Sequence, residues 1–276
     1  MKPVLEFYAG PALLEGPVWD EKSRMLMCVS IERCLIYMFS VDTGVVKTFA
    51  THGQVGCAVL KDGYILSAEE DGIYRIDPDT SKSEFVLKIN TDSRMRYNDG
   101  KLDPTGRFIV GTKGLKTDYP GEAALYSWDG KSVSTIVTGT TISNGLGFSP
   151  DNRYMYFIDT PVQKVGRYKY DIDSGIAEFD RYIVTDYSTD VFPDGMCVDT
   201  DGMIWVAEWG GSRVCKWDPE TGEKLTEILL PCKYVSSCCL GGNNLERLYI
   251  TTARGSDSDD IGGALFSADI TTLRGK

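Results

Sequence analysis

The sequence predicts an all-β chain that folds as a six-bladed β-propeller, and three observations carry this prediction. One segment plan repeats through the whole chain, each segment contains short strands bounded by turn residues, and no long segment has helical periodicity. Short strands and turns that recur at a period of roughly 40–50 residues are typical of propellers. A twelve-stranded sandwich is the alternative arrangement of the same strands.

The repeat is marked by a glycine near the opening of each segment. Successive marker glycines are separated by 40, 44, 45 and 50 residues, and Cys238 stands at the matching place 43 residues after the last of them. Six such segments predict six blades in a single domain that spans residues 1–276. The marker glycines are Gly16, Gly56, Gly100, Gly145 and Gly195.

Each opening is followed by a predicted strand rich in β-branched and aromatic residues. Turns of Asp, Gly, Pro, Ser and Thr end the strands that come next. The segment 4–9 is predicted to supply the outer strand of the last blade, which would close the ring and hide two sheet edges. The strands predicted after the openings are 25–31, 64–69, 108–112, 154–159, 203–208 and 247–253.

The composition argues against nucleic-acid binding and against a membrane span. Hydrophobic residues make up 42% and charged residues 25% of the 276 residues, and the formal net charge is −11. Phosphate binding needs clustered Lys and Arg, and the sequence has no basic run. No stretch approaches the roughly 18 apolar residues of a membrane span, and no secretory signal is recognisable at the N-terminus.

The eight cysteines include no C-x-x-C pair, and several lie within apolar strand patterns. We therefore expect reduced, buried thiols in a cytoplasmic protein. One chain suffices for the site described next, so a monomer is expected.

Four of the six openings place oxygen-bearing side chains beside the marker glycine. Equivalent positions of a propeller converge on the central axis, so these side chains should meet at one mouth of the channel. Asn-Gly and Asp-Gly are also common turn formers, which is the structural alternative for each pair taken alone. The residues at the openings are Glu15, Val55, Asn98 with Asp99, Asn144 and Asp194.

Glu15, Asn144 and Asp194 are the predicted ligands of one divalent cation. Two carboxylates at one axis would repel each other unless a cation lay between them. Carboxylate and amide oxygens suit Ca²⁺, Mg²⁺ or Mn²⁺, and three protein ligands leave positions open for water and substrate. The one histidine, His52, lies in a turn and is expected at the surface. No G-x-S-x-G motif supports a serine nucleophile.

At these residues the sequence resembles the family of regucalcin (senescence marker protein), gluconolactonase and luciferin-regenerating enzyme. The resemblance covers nearly the whole chain. It implies a six-bladed propeller that hydrolyses aldono-lactones, with one calcium, zinc, magnesium or manganese ion held by Glu15, Asn144 and Asp194. Zinc departs from the usual preference for nitrogen and sulfur ligands. The motifs are EGPVWD at 15–20, RYNDGKLDPTGRFIVGT at 96–112, SNGL at 143–146, PDGMCVDTDGMIWVAEWGGSRVCKWDPETG at 193–222 and SSCCLGG at 236–242.

The resemblance also implies substrate contacts at Arg96 and Asn98. Animal regucalcins carry a glutamate shortly after the third blade's Gly-Thr pair that helps hold sugar hydroxyls, and Lys116 aligns with it here. This difference leaves the sugar preference open, with Lys116 as the candidate contact and Glu122 as a nearby substitute. A solvent-exposed charge is the alternative for Arg96 and for Lys116.

The hypothetical mechanism gives Asp194 a double role as cation ligand and general base. Asp99 is the second candidate base. Alternatively, Asp99 is a turn residue whose side chain hydrogen-bonds its own backbone. Three other functions remain open: hydrolysis of other lactones or esters, a calcium-binding regulator, and a platform for protein binding. The chain has no EF-hand loop, since the SDSDD run at 256–260 is only acidic.

Overall fold

Short apolar strands alternate with turns along the computed structural model, which describes residues 2–255 and 261–273. In these ranges the only helices are two 3-10 turns, Thr160–Val162 and Thr271–Leu273. The acidic run at 256–260 lies outside the described residues. Within the described ranges, no helix has the length and apolar character needed to cross a membrane.

The first strand, β1 (Val4–Tyr8), is followed by four antiparallel blades of four strands each. Neighbours in each blade are consecutive in the chain. The first blade contains β2 (Leu14–Asp20), β3 (Met25–Ser30), β4 (Leu35–Ser40) and β5 (Val46–Ala50), and the second contains β6 (Val55–Lys61), β7 (Tyr64–Glu69), β8 (Gly72–Ile76) and β9 (Ser83–Leu87). The third contains β10 (Met95–Leu102), β11 (Phe108–Gly114), β12 (Ala123–Trp128) and β13 (Val133–Thr140), and the fourth contains β14 (Ser143–Phe148), β15 (Tyr154–Asp159), β16 (Val165–Tyr170) and β17 (Ala177–Val184).

The later strands form, together with β1, one eight-stranded sheet. They are β18 (Phe192–Val198), β19 (Ile204–Trp209), β20 (Arg213–Trp217), β21 (Lys224–Leu229), β22 (Tyr234–Gly241), β23 (Arg247–Ala253) and β24 (Ala264–Asp269). The prediction of six blades is therefore wrong: the structure has four blades and one larger sheet. A bridge between Trp209 and Tyr234, whose rings lie 4.7 Å apart, joins the strands that were expected as separate fifth and sixth blades. A two-sheet sandwich is not formed either.

The first strands of the successive segments surround a common axis. β2, β6, β10, β14, β18 and β22 contact one another in this order, and β22 contacts β2. β1 pairs with β24 at the edge of the eight-stranded sheet, as the pattern of segment 4–9 predicts. Apolar side chains fill the space between neighbouring sheets, and seven of the eight cysteines are buried among them.

Asp103 links the third blade to the fourth. Its carboxylate accepts hydrogen bonds from the hydroxyl of Tyr170 at 2.7 Å and from Nη1 of Arg107 at 2.8 Å. Burial by itself would raise the pKa of Asp103, but these hydrogen bonds outweigh burial and hold the pKa below its usual value. The ionised form is therefore the one that stabilises the fold.

The substitution Asp103→Asn is expected to lower the free energy of unfolding by about 1–3 kcal/mol at pH 7, because it removes a charged acceptor. The stabilisation by the carboxylate is complete above the pKa of an unfolded aspartate, about 4, and is lost as the pH falls through the lower folded value. Urea unfolding at pH 7 and pH 3 should show the difference between the two proteins shrinking at the lower pH. A difference that does not change with pH would contradict this account.

Candidate active site

A cavity of about 440 Å³ opens at the end of the axis where the first strands begin. Five of the residues predicted from the sequence line it together, although they come from four different segments of the chain. Apolar side chains, including those of Phe192 and Trp209, complete part of the wall. The five predicted residues are Glu15, Arg96, Asn98, Asn144 and Asp194.

A break in strand pairing places these side chains at the mouth. Each of the six axial strands shifts register relative to its neighbour near its marker position, which is the signature of a β-bulge. The shift in β10 lies between Tyr97 and Gly100, and the shift in β18 lies between Pro193 and Met196. Bulges redirect side chains, so the polar residues leave the regular alternation and face the cavity.

Close packing explains why glycine follows these polar residues. A Cβ atom on Gly145 would lie 2.5 Å from the carbonyl oxygen of Asp194 and 2.7 Å from the amide nitrogen of Met196. Only glycine therefore allows β14 to approach β18 this closely. The contact holds Asn144 and Asp194, which belong to neighbouring axial strands, beside each other.

Two carboxylates, Glu15 and Asp194, line the cavity, and the charge of a third, Asp99, acts on both. Burial, followed by the negative charges of Asp194 and Asp99, raises the pKa of Glu15 well above its usual value. Burial and the charge of Asp99 likewise raise the pKa of Asp194, against a hydrogen bond from Asn144 and the charge of Lys113. Burial also raises the pKa of Asp99. Carboxylates in this arrangement are stabilised in their ionised form by a cation between them.

Asn144 is held so that its oxygen is available. Its Nδ2 donates to Oγ1 of Thr160 at 3.0 Å and to Oδ1 of Asp194. Thr160 in turn donates to the carbonyl of Pro193 at 3.0 Å. Both amide hydrogens are thus used, and Oδ1 of Asn144 has no hydrogen-bond donor within the described part of the chain.

Arg96 and Asn98 form a fixed donor pair. Arg96 is only 7% exposed, so the alternative of a solvent-exposed charge is wrong for it. Its Nη1 donates to the carbonyl of Tyr97 at 2.7 Å and to Oδ1 of Asn98 at 3.1 Å, and Asn98 donates to the carbonyl of Ser143 at 3.0 Å. A guanidinium has five N–H donors, so Arg96 retains donors for a ligand in the cavity.

The oxygen atoms of the cavity suit a divalent cation, although they do not belong to a conventional cluster of metal-binding side chains. No group of three or more His, Cys, Asp or Glu side chains in the described ranges is placed to hold a metal ion. Glu15 accepts one hydrogen bond, from the amide of Gly16 at 3.1 Å. The oxygens of Glu15, Asn144 and Asp194 therefore remain available to a cation, and all-oxygen ligation matches Ca²⁺, Mg²⁺ or Mn²⁺.

Asp99 and Lys116 do not line the cavity. Asp99 lies at the bulge of β10 and accepts a hydrogen bond from the amide of Gly100 at 2.7 Å. Lys116 is exposed in the segment between β11 and β12. His52 packs against Tyr74 with ring centroids 4.1 Å apart and contacts Glu69 through Nδ1 at 3.1 Å.

Sequence reasoning missed two charged residues of the cavity wall, Lys113 and Asp118. The predicted strand ended at residue 112, whereas β11 continues to Gly114 and places Lys113 opposite Arg96. Nothing in the local sequence of Asp118 distinguishes it from an ordinary surface acid.

The chain is similar to known proteins over most of its length. The profile described as the SMP-30/gluconolactonase/LRE-like region matches residues 13–254. Regucalcin of Danio rerio is 37% identical over 244 residues, which cover 87% of this chain and 82% of that protein. Pentonolactonase XacC of Haloferax volcanii is 34% identical over 270 residues, 93% of this chain and 90% of that protein. A solved structure of regucalcin from Agrobacterium tumefaciens, described as a calcium-binding protein, superposes with a TM-score of 0.90 at 25% identity, covering 97% of this chain and 92% of that one.

Proposed function

The chain belongs to the SMP-30/gluconolactonase/LRE-like family and is a lactonase, and we propose that it hydrolyses a small sugar lactone in its mouth cavity with the help of one divalent cation. One observation carries the cation proposal. Glu15, Asn144 and Asp194 turn oxygen atoms into the same cavity. The described residues supply fewer hydrogen-bond donors than these oxygen atoms can accept. The three residues are the proposed ligands.

The charges of the cavity support the same proposal. The side chains that line the cavity include three acids and two bases, so their formal charge is negative and a bound cation offsets it. The acids are Glu15, Asp118 and Asp194, and the bases are Arg96 and Lys113.

Hydrolysis of a lactone requires a polarised carbonyl, a deprotonated water and a protonated leaving oxygen. A divalent cation supplies a Lewis acid that polarises the carbonyl and lowers the pKa of nearby water. Asp194 lines the cavity, so its carboxylate takes the proton of the attacking water and returns it to the ring oxygen. Asp99 is the less favoured base because it does not line the cavity and accepts a hydrogen bond from the amide of Gly100.

Arg96 and Asn98 orient the substrate. Their mutual hydrogen bond and their bonds to backbone carbonyls hold them in one geometry before substrate arrives. Donors held in this way reduce the entropy lost on forming the reactive complex. We assign to them contacts with the hydroxyl groups of the lactone ring.

Removal of the cation tests this function directly. The protein is treated with a chelator, and acid release from a panel of aldonolactones is followed at neutral pH before and after addition of Ca²⁺, Mg²⁺, Mn²⁺ or Zn²⁺. A Lewis acid contributes several kcal/mol, so chelation should lower the rate at least about 100-fold, and at least one ion should restore it.

The alternatives predict different results in the same assay. Turnover that survives chelation would refute the role of the cation. An ion that binds without turnover of any lactone would favour the calcium-binding regulator. Turnover of simple esters or unsubstituted lactones in preference to aldonolactones would favour the broader hydrolase.

A further inference from the structure

Two charged residues of the cavity wall, Lys113 and Asp118, take no direct part in the hydrolysis steps above, although the charge of Lys113 acts on the pKa of Asp194. Lys113 lies near the end of β11, directly opposite Arg96 of β10 in the antiparallel register. It also forms a bridge to Ile142, and its side chain is only 24% exposed. These backbone pairings fix the base of the lysine side chain at the wall of the cavity.

The chain folds back after Lys113 and returns an acid to the same wall. Gly114 permits this reversal, because a side chain there would collide with the carbonyl of Thr117. Asp118 then places Oδ1 3.5 Å from Nζ of Lys113. A hydrogen bond spans about 2.7–3.2 Å, so the two groups attract each other by charge and keep hydrogen-bonding capacity for a third partner.

An ammonium beside a carboxylate matches a hydroxyl group better than it matches a charged group. A hydroxyl both accepts a hydrogen bond from the ammonium and donates one to the carboxylate. An anionic substituent would meet Asp118 and the acids Glu15 and Asp194, whereas a cationic one would meet Arg96 and Lys113. This wall therefore favours a ligand that is uncharged and rich in hydroxyls.

We propose that Lys113 and Asp118 bind hydroxyl groups of an uncharged lactone and thereby determine which lactone the cavity prefers. The inference rests on the proposed function, since it assigns these residues to the same substrate. Contacts to hydroxyls remote from the ester act equally in the bound substrate and in the transition state. Their loss should raise KM and leave kcat nearly unchanged.

The test compares Lys113→Met with Lys131→Met, which removes an exposed lysine from the turn between β12 and β13 of the same blade. Rates are measured with the metal-loaded protein on glucono-1,5-lactone and on δ-valerolactone, which has the same ring without hydroxyls. We expect Lys113→Met to raise KM for the hydroxylated lactone about 10-fold or more, the effect of one charge-assisted hydrogen bond. Its kcat/KM on δ-valerolactone should fall much less, because any effect of the lost charge on Asp194 acts on both lactones alike, and both activities of Lys131→Met should match wild type. Asp118→Asn should raise KM in the same selective way.

Several outcomes would overturn the proposal. Equal losses on the two lactones would assign Lys113 to the chemistry or to folding. An unchanged KM would remove it from recognition, and a loss in Lys116→Met in place of Lys113→Met would give the role to Lys116.

Binding of 1,5-anhydroglucitol, which has the ring hydroxyls and no ester, separates this inference from the lactonase function. Calorimetry on wild type and Lys113→Met measures it without turnover. Binding weakened about 10-fold in the variant supports the recognition role even if no lactone is hydrolysed. Hydrolysis by wild type with equal KM and equal binding in the variant refutes the recognition role alone. No binding and no hydrolysis refute both.

Discussion

Replacing Asp194 by alanine is expected to abolish divalent-cation binding and to lower kcat/KM for the preferred lactone by about 10³-fold or more. General-base catalysis alone contributes about 10²–10⁴-fold, and the same side chain is a proposed ligand. Cation binding is measured separately as the rise in melting temperature on adding the ion, because a ligand that binds only the folded state stabilises it. We expect this rise in wild type and not in the variant.

The variant should remain folded. Asp194 is a buried carboxylate that repels Glu15 and Asp99, so its removal without cation should not lower the melting temperature. Glu178→Ala, which removes an exposed carboxylate from β17, is the matched control and should behave as wild type. An Asp194→Ala protein that still hydrolyses lactone and still responds to the ion would disprove the assigned roles.

The largest expected effect on stability comes from Lys216→Met in β20. Lys216 and Asp199 are each only 1% exposed, and Nζ lies 3.3 Å from Oδ2 of Asp199. Nζ also donates to the carbonyl of Leu273 at 2.7 Å. Asp199 holds the indole of the fully buried Trp205 through Oδ2 at 3.1 Å. Methionine would leave a buried carboxylate without its countercharge, at a cost of about 3–5 kcal/mol, or roughly 10 °C in Tm.

Two further variants distinguish this effect from a general loss of packing. Lys169→Met changes an exposed lysine near the end of β16 and should leave the Tm unchanged. The double variant Lys216→Met/Asp199→Asn removes both charges and should be more stable than Lys216→Met alone. If the double variant were less stable by the sum of the two single losses, the ion pair would not be the cause.

The strand pattern and the closing role of segment 4–9 were predictable because they depend on local residue types and on repeated turns. The number of blades was not. Whether two neighbouring runs of strands form one sheet depends on the bridge between Trp209, the last residue of β19, and Tyr234, the first residue of β22, and this bridge follows from packing.

The site likewise contains some residues that could be predicted from the sequence and others that could not. Glu15, Asn144 and Asp194 could be found because each stands beside a glycine that recurs in register, and the glycines recur because the axial strands pack closely. Lys116 was chosen because it aligns with the glutamate of animal regucalcins, whereas Lys113 joins the cavity wall because β11 continues to Gly114 in its pairing with β10. Asp118 depends on the fold-back at Gly114, for which the sequence carries no distinctive signal.

The position of each functional group also determines how readily the protein could acquire a new preference during evolution. Asn144 and Asp194 belong to strands that touch through backbone atoms at Gly145, so a substitution there disturbs several segments together. Lys113 and Asp118 lie at the end of β11 and in the segment after it, outside the strands that surround the axis. Selection acting on that short segment could exchange one sugar for another and leave the reaction chemistry intact.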